Sequence, residues 1–242
     1  MPDPLIIEAA DAADLARRAA GLIADAVRAR PDARLQLATG NTPMATYAEL
    51  VDLHGRGELD TSELRAIQLD EYLGLAAHGD PRSLGDWMRR SFTDPLEIPE
   101  AHITWLDVAG DPEAGCARYA QAVRAAGGLD LTVLGLGPNG HLGFNEPPSP
   151  ADAPTRVVEL TPESLISNAA YWGEGAVPRR AVTAGMDLIM EARAVLLLVS
   201  GEHKRGILDR ALRERPSEEC PASLLRLREG VTIVADRAAL GR

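Results

Sequence analysis

Apolar residues fall into two spacings along this chain, and the alternation between them predicts its elements. Leu15, Ala19, Leu22, Ile23, Ala26 and Val27 recur at the spacing of one helix face, and Arg30 with Pro31 ends the run. The short apolar stretch 35–38 then reads as a buried strand. Gly40 and Asn41 turn the chain, and Pro43 suits the first position of a helix continuing toward His54, where its missing N–H would have no partner anyway. Further apolar runs at 66–69, 131–136, 194–199 and 231–234 predict strands, with helical spacings at 112–126, 186–192 and 203–213. Strands alternating with helices predict an α/β fold: an open, largely parallel, Rossmann-like sheet with helices on both faces. The proline-rich stretch 147–154 reads as a loop rim rather than a linker, because neither flanking half looks self-sufficient. Residues 1–242 are therefore expected to form a single α/β domain.

Composition narrows the class of ligand more than the class of fold. The chain has 242 residues, 45% of them apolar, enough for a sizeable core. Acidic residues outnumber basic ones, 36 to 25, for a net charge of −11, and there is no lysine or arginine block, which disfavours a nucleic-acid surface. An anionic metabolite would need positive potential concentrated locally. No apolar stretch approaches the roughly 20 residues that span a bilayer. The first residues also lack a basic region followed by an apolar one, so no membrane partner is expected and the location is expected to be cytoplasmic. Cys116 and Cys220 lie far apart without metal-ligand spacing, so reduced structural thiols and no metal site are expected.

The densest chemistry is the run GLGPNGHLGFNEPP at 135–148, directly after an apolar strand. Its glycines allow sharp turning and close approach to a ligand, and Asn139, His141, Asn145 and Glu146 are offered at the strand's carboxyl end, where open α/β sheets bind their ligands. Gly135, Gly137 and Gly140 match GxGxxG, with Glu159 near the offset of a ribose-binding acid. A dinucleotide fingerprint must open a helix, however, and Gly143, Pro147, Pro148 and Pro150 follow instead, so these read as loop glycines. TGNTP at 39–43 joins a strand end to a helix start, which suits either an anion cradle built from Thr39, Gly40, Asn41 and Thr42 or an ordinary turn with Thr42 as N-cap. Lys204 stands near a helix start, where a cation opposes the helix dipole unless an anion joins it; the alternative is a solvated lysine. Asp70 and Glu71 follow another apolar strand and suit a general base or a turn cap.

Taken together, ATGNTP, LDEYLGL, GLGPNGHLGFNEP, TRVVELT, AVTAGM and LLLVSGEHK resemble, in order and spacing, the glucosamine-6-phosphate deaminase family, a branch related to 6-phosphogluconolactonases, over about 35–236. The resemblance implies a phosphorylated amino sugar as partner, no cofactor or metal, and a monomer or small homo-oligomer. It further implies that Asp70 takes the proton at C2, that His141 opens the sugar ring with help from Glu146 and Asn139, and that Thr39, Gly40, Asn41, Thr42, Glu71, Gly137 and Lys204 hold the substrate. The family reaction would turn glucosamine 6-phosphate and water into fructose 6-phosphate and ammonia. The sequence departs from the family pattern at Ala170 of SNAAYW, where relatives carry a phosphate-clamping arginine, at Asn139, where many relatives carry aspartate, at Val158, where allosteric relatives carry a basic residue, and in SLGDWM at 83–88. Alternative outcomes at such a site are dehydration or epimerisation of N-acetylglucosamine 6-phosphate, lactone hydrolysis as in 6-phosphogluconolactonases, or sugar-phosphate sensing without turnover.

Overall fold

The structure is a computed structural model that describes residues 3–75, 79–170, 172 and 177–242. Its strands are β1 (Leu5–Ala9), β2 (Arg34–Leu37), β3 (Arg65–Gln68), β4 (Asp70–Tyr72), β5 (Ile103–Thr104), β6 (Leu131–Gly135), β7 (Arg156–Glu159), β8 (Arg180–Thr183), β9 (Ala194–Val199) and β10 (Val231–Asp236). The α-helices are α1 (Ala12–Ala29), α2 (Asn41–Gly55), α3 (Leu84–Met88), α4 (Pro112–Ala125), α5 (Pro162–Ala169), α6 (Met186–Glu191), α7 (Arg205–Arg213) and α8 (Arg237–Leu240). Seven strands form a wholly parallel sheet in the order β1-β10-β9-β6-β2-β3-β5. The fold is the expected open α/β sheet.

Alternation along the central strands explains why helices cover both faces. On β9, Val195, Leu197 and Val199 enter one apolar cluster while Leu196 and Leu198 enter another. The first cluster takes Cys116 and Tyr119 of α4, Leu188 and Ile189 of α6, Leu208 of α7 and Ala239 of α8. The second takes Leu15, Ala19 and Ile23 of α1 with Tyr47 and Leu50 of α2. A strand buried on both faces has no polar side, which is why these runs stand out as continuous apolar sequence. Both cysteines are buried and unpaired. Among the described residues no helix is long and apolar enough to cross a membrane.

Several elements depart from the sequence reading. A second, antiparallel sheet of three strands, β4-β8-β7, lies outside the expected pattern. Asp70, Glu71 and Tyr72 form its strand β4 instead of a turn after β3. Edge strand β1 was not expected either, because Leu5 and Ile6 are exposed and give no buried run. Helix α2 begins at Asn41 with Gly40 as N-cap at φ 119° and no side-chain cap bond, so Thr42 does not cap it and Pro43 is its third residue. Proline is tolerated there because the whole first turn lacks intrahelical acceptors for its N–H groups.

Candidate active site

The loops after β2, β3, β6 and β9 leave the parallel sheet at one edge and enclose a cavity of about 390 Å³. That size suits a small ligand. Thr39, Gly40, Asn41 and Thr42 line one wall, Asp70 and Tyr72 another, Gly137 and His141 a third, and Ser200, Gly201, His203 and Lys204 close the ring. Eight of the residues expected to touch substrate therefore converge: Thr39, Gly40, Asn41, Thr42, Asp70, Gly137, His141 and Lys204. Leu84 and Trp87 of the SLGDWM segment form part of the wall.

One end of the cavity is lined by backbone. Gly40, at a φ that side chains rarely adopt, starts α2 without a side-chain cap, which leaves its first N–H groups and positive dipole end facing the cavity. Lys204 arrives from the loop after β9 and donates from Nζ to the Leu136 carbonyl at 2.7 Å. Burial pushes its ammonium below the usual lysine range, because a charge with few water contacts is disfavoured. The side chain is thus part-buried and hydrogen-bonded to the protein rather than extended into solvent. The loop itself is anchored by Asp236, whose carboxylate accepts from Ser200 Oγ at 2.5 Å and Gly201 N at 3.0 and 3.1 Å.

Asp70 is 6% exposed, and among the described residues its carboxylate receives no hydrogen bond. Burial, aided by the negative charge of Glu71, pushes it up to about 8. Glu71 points elsewhere and is the clear correction to the expected site. Its two oxygens accept from Gln68 Nε2 (3.1 Å), Tyr72 N (2.8 Å), Ser83 Oγ (2.7 Å), Leu84 N (3.0 Å) and Gly85 N (2.8 Å). A carboxylate so fully engaged pins the start of α3 and has no lone pair left for a substrate.

His141 sits on a tight turn in which Gly140 N donates to the Gly137 carbonyl and Gly137 N to the His141 carbonyl. A Cβ on Gly137 would lie 2.2 Å from His141 Cδ2 and Nε2, so glycine at 137 is what lets the ring lie flat against the backbone. Nδ1 of the ring lies 3.3 Å from Glu146 Oε2 and 3.2 Å from Ser164 Oγ, leaving Nε2 without a protein partner among the described residues. Burial acts on Glu146 to raise its pKa, but hydrogen bonding and charge attraction from His141, with help from Ser164 and Asn139, outweigh it and hold the group at about 2. Asn139 donates from Nδ2 to Glu146 Oε2 at 2.8 Å and accepts the His141 N–H on Oδ1 at 3.2 Å. Glu146 and Asn139 therefore stand behind the histidine rather than on the cavity wall. Asn145 serves the scaffold: its amide donates to the Leu142 and Ala184 carbonyls and accepts from Arg156.

Two residues of this network escaped the sequence reading. Thr161, the N-cap of α5, donates to Glu146 Oε2 at 3.2 Å, and buried Ser164 meets His141 one turn on. The TPES string at 161–164 carries an N-cap and proline signal for a helix start, but nothing in it points to a histidine 23 residues away. Ala170 ends α5 as its C-cap and does not line the cavity, while Tyr171 beside it lies outside the described residues.

Comparison with known proteins finds relatives along nearly the whole chain. The sequence profile of the family described as glucosamine-6-phosphate isomerases/6-phosphogluconolactonase matches residues 8–234. A glucosamine-6-phosphate deaminase of Geobacillus sp. (strain WCH70) is 39% identical, covering 97% of this chain and 94% of its own. The solved structure of a monomeric glucosamine-6-phosphate deaminase superposes with a TM-score of 0.95 at 36% identity, over 98% of this chain and 99% of that one. A 6-phosphogluconolactonase from Trypanosoma cruzi shares the fold, with a TM-score of 0.80 at 22% identity over 99% and 97% of the two chains.

Proposed function

The chain belongs to the glucosamine-6-phosphate isomerase/6-phosphogluconolactonase family, and from that premise we propose that it converts glucosamine 6-phosphate and water into fructose 6-phosphate and ammonia. The observation that carries this reading is Asp70: a buried, unpartnered carboxylate raised to about 8, in the same cavity as a histidine backed by a carboxylate. Lactone hydrolysis has no use for a second base of this kind, whereas proton transfer between neighbouring sugar carbons requires one.

The substrate's phosphate lies at the amino end of α2 and against Lys204, which places the sugar between Asp70 and His141. A proton on C2 is acidic only when C1 is a free aldehyde, so the ring opens first. His141 moves a proton between O5 and O1, with Glu146 holding Nδ1 and so fixing which nitrogen is free. Asp70, as carboxylate, removes the C2 proton; the C–H electron pair forms the C1–C2 double bond and O1 takes up a proton. Asp70 returns its proton to C1, and the enolamine becomes an imine at C2. Water adds there, ammonia leaves, and the ketose remains.

The test is incubation of the protein with glucosamine 6-phosphate at millimolar concentration, with ammonia and fructose 6-phosphate measured together in equal amounts. Absence of both defeats the proposal. A parallel incubation with N-acetylglucosamine 6-phosphate separates the other chemistry open to the same base, since loss of one water without ammonia, read by mass spectrometry, would make the protein a dehydratase.

A further inference from the structure

The Lys204 end of the cavity has one part-buried ammonium to face a phosphate dianion, and that ammonium is already tied to the Leu136 carbonyl and disfavoured by burial. No arginine lines the cavity among the described residues. Two imidazoles do. His141 is committed through Nδ1 to Glu146 and Ser164. His203 is different: among the described residues its ring makes no hydrogen bond or ion pair, although it lines the same wall as Lys204 and Gly201.

Its placement is set by the backbone. Residues Glu202–Lys204 form a single 3₁₀ turn closed by Lys204 N donating to the Gly201 carbonyl at 3.0 Å. Gly201 has φ 95°, and a Cβ there would come within 2.8 Å of His203 Nδ1 and 2.9 Å of Cε1. The ring thus folds back over the glycine toward the strand end. Asp236 clamps the same turn from below through Ser200 and Gly201, so the ring stands on an anchored loop. Asn168, whose buried Nδ2 has no partner among the described residues, comes from α5, whose Ser164 meets His141, and so stands at the His141 end of the cavity.

We propose that His203 is a phosphate ligand, its ring N–H donating to a phosphate oxygen beside Lys204 and the amino end of α2. The inference rests on the phosphorylated substrate proposed above and names the residue that completes its cradle. The added hydrogen bond to a charged oxygen is of the strong, charge-assisted kind.

The test compares the wild type with His203→Ala and His203→Gln, the second retaining an N–H donor. Inorganic phosphate binding is titrated by calorimetry, which requires no turnover, and KM and kcat are measured on glucosamine 6-phosphate. In His203→Ala the phosphate Kd and the KM are expected to rise about tenfold, with kcat within about twofold and an unchanged melting temperature, because the ring is exposed. His203→Gln should recover most of the loss. Equal phosphate affinity in wild type and His203→Ala, or no phosphate binding by the wild type, overturns the proposal. A wild type that binds phosphate through His203 but releases no ammonia would sink the deaminase reading and leave this one standing.

Discussion

At the scale of single residues, Asp70 and Gly137 carry the sharpest consequences. A base with a pKa of about 8 is mostly protonated at pH 7, so kcat/KM should climb about tenfold per pH unit from pH 6 and level off near 8. A flat profile between pH 6 and 9 would remove Asp70 from the role. Asp70→Asn should abolish exchange of the substrate's C2 hydrogen with deuterated solvent, while His141→Gln keeps a slow residue set by spontaneous ring opening, a contrast of about 10² or more by NMR. The same substitution has a stability consequence of definite sign. The folded pKa lies above the ordinary 3.8, so the native state binds the extra proton and loses stability as pH rises from about 4 to 8. Asp70→Asn should therefore melt higher than wild type at pH 8 and nearly equal to it at pH 4. Gly137→Ala acts on the neighbour instead. Its new methyl would lie 2.2 Å from the His141 ring, so kcat should fall by about 10² with the C2 base intact, leaving the slow exchange of His141→Gln. Wild-type activity in Gly137→Ala would mean that the ring position is not critical.

At the scale of elements, the second sheet and α3 show how one carboxylate holds a wall of the site. Glu71 leaves β4 to accept the N–H groups of Leu84 and Gly85 and the Ser83 hydroxyl, so α3 and its cavity residues Leu84 and Trp87 are fixed to the strand that carries Asp70. Glu71→Ala strands several buried donors at about 1–3 kcal/mol each, and unfolding should shift by about 3 kcal/mol or more. Glu71→Gln keeps the size and removes the charge that adds to the raised pKa of Asp70. Its acid limb in kcat/KM should therefore move below 8, and an unmoved limb would mean that burial alone sets the base.

At the scale of the whole molecule, the two edges of the parallel sheet divide the work. The cavity occupies the carboxyl ends of the strands. At the amino ends, Asp130 accepts from Arg34 N, Nε and Nη2 and from Arg30 Nη1, joining β2 and the end of α1 to the entry of β6. Burial opposes the Asp130 charge, and the Arg34 hydrogen bonds more than offset it, so the carboxyl stays lowered. Asp130→Ala leaves the Arg34 guanidinium buried without its counter-ion, at a cost of about 3–5 kcal/mol. In a chain of this size the melting temperature should drop by about 10 °C. Activity below the transition should be retained, since no residue of this cluster reaches the cavity; a loss of kcat in the folded variant would break the division.

The sequence by itself determined the central strands, the helices between them and the motifs that open at the strands' carboxyl ends. Those features depend on spacing between near neighbours: Leu131, Val133 and Leu134 read as a buried strand in any context, and the glycines after them read as a loop. The tertiary structure alone decided which loops meet. It brought the loops after β2 and β9 together around one cavity, separated Asp70 from Glu71 by strand alternation, and set Ser164 of α5 against His141. It also created the antiparallel sheet from β4, β7 and β8, strands of three and four residues whose pairing is entirely non-local. Short strands carry too few residues for a period of two to show, and a hydrogen bond between residues far apart in sequence leaves no trace in either one's neighbours.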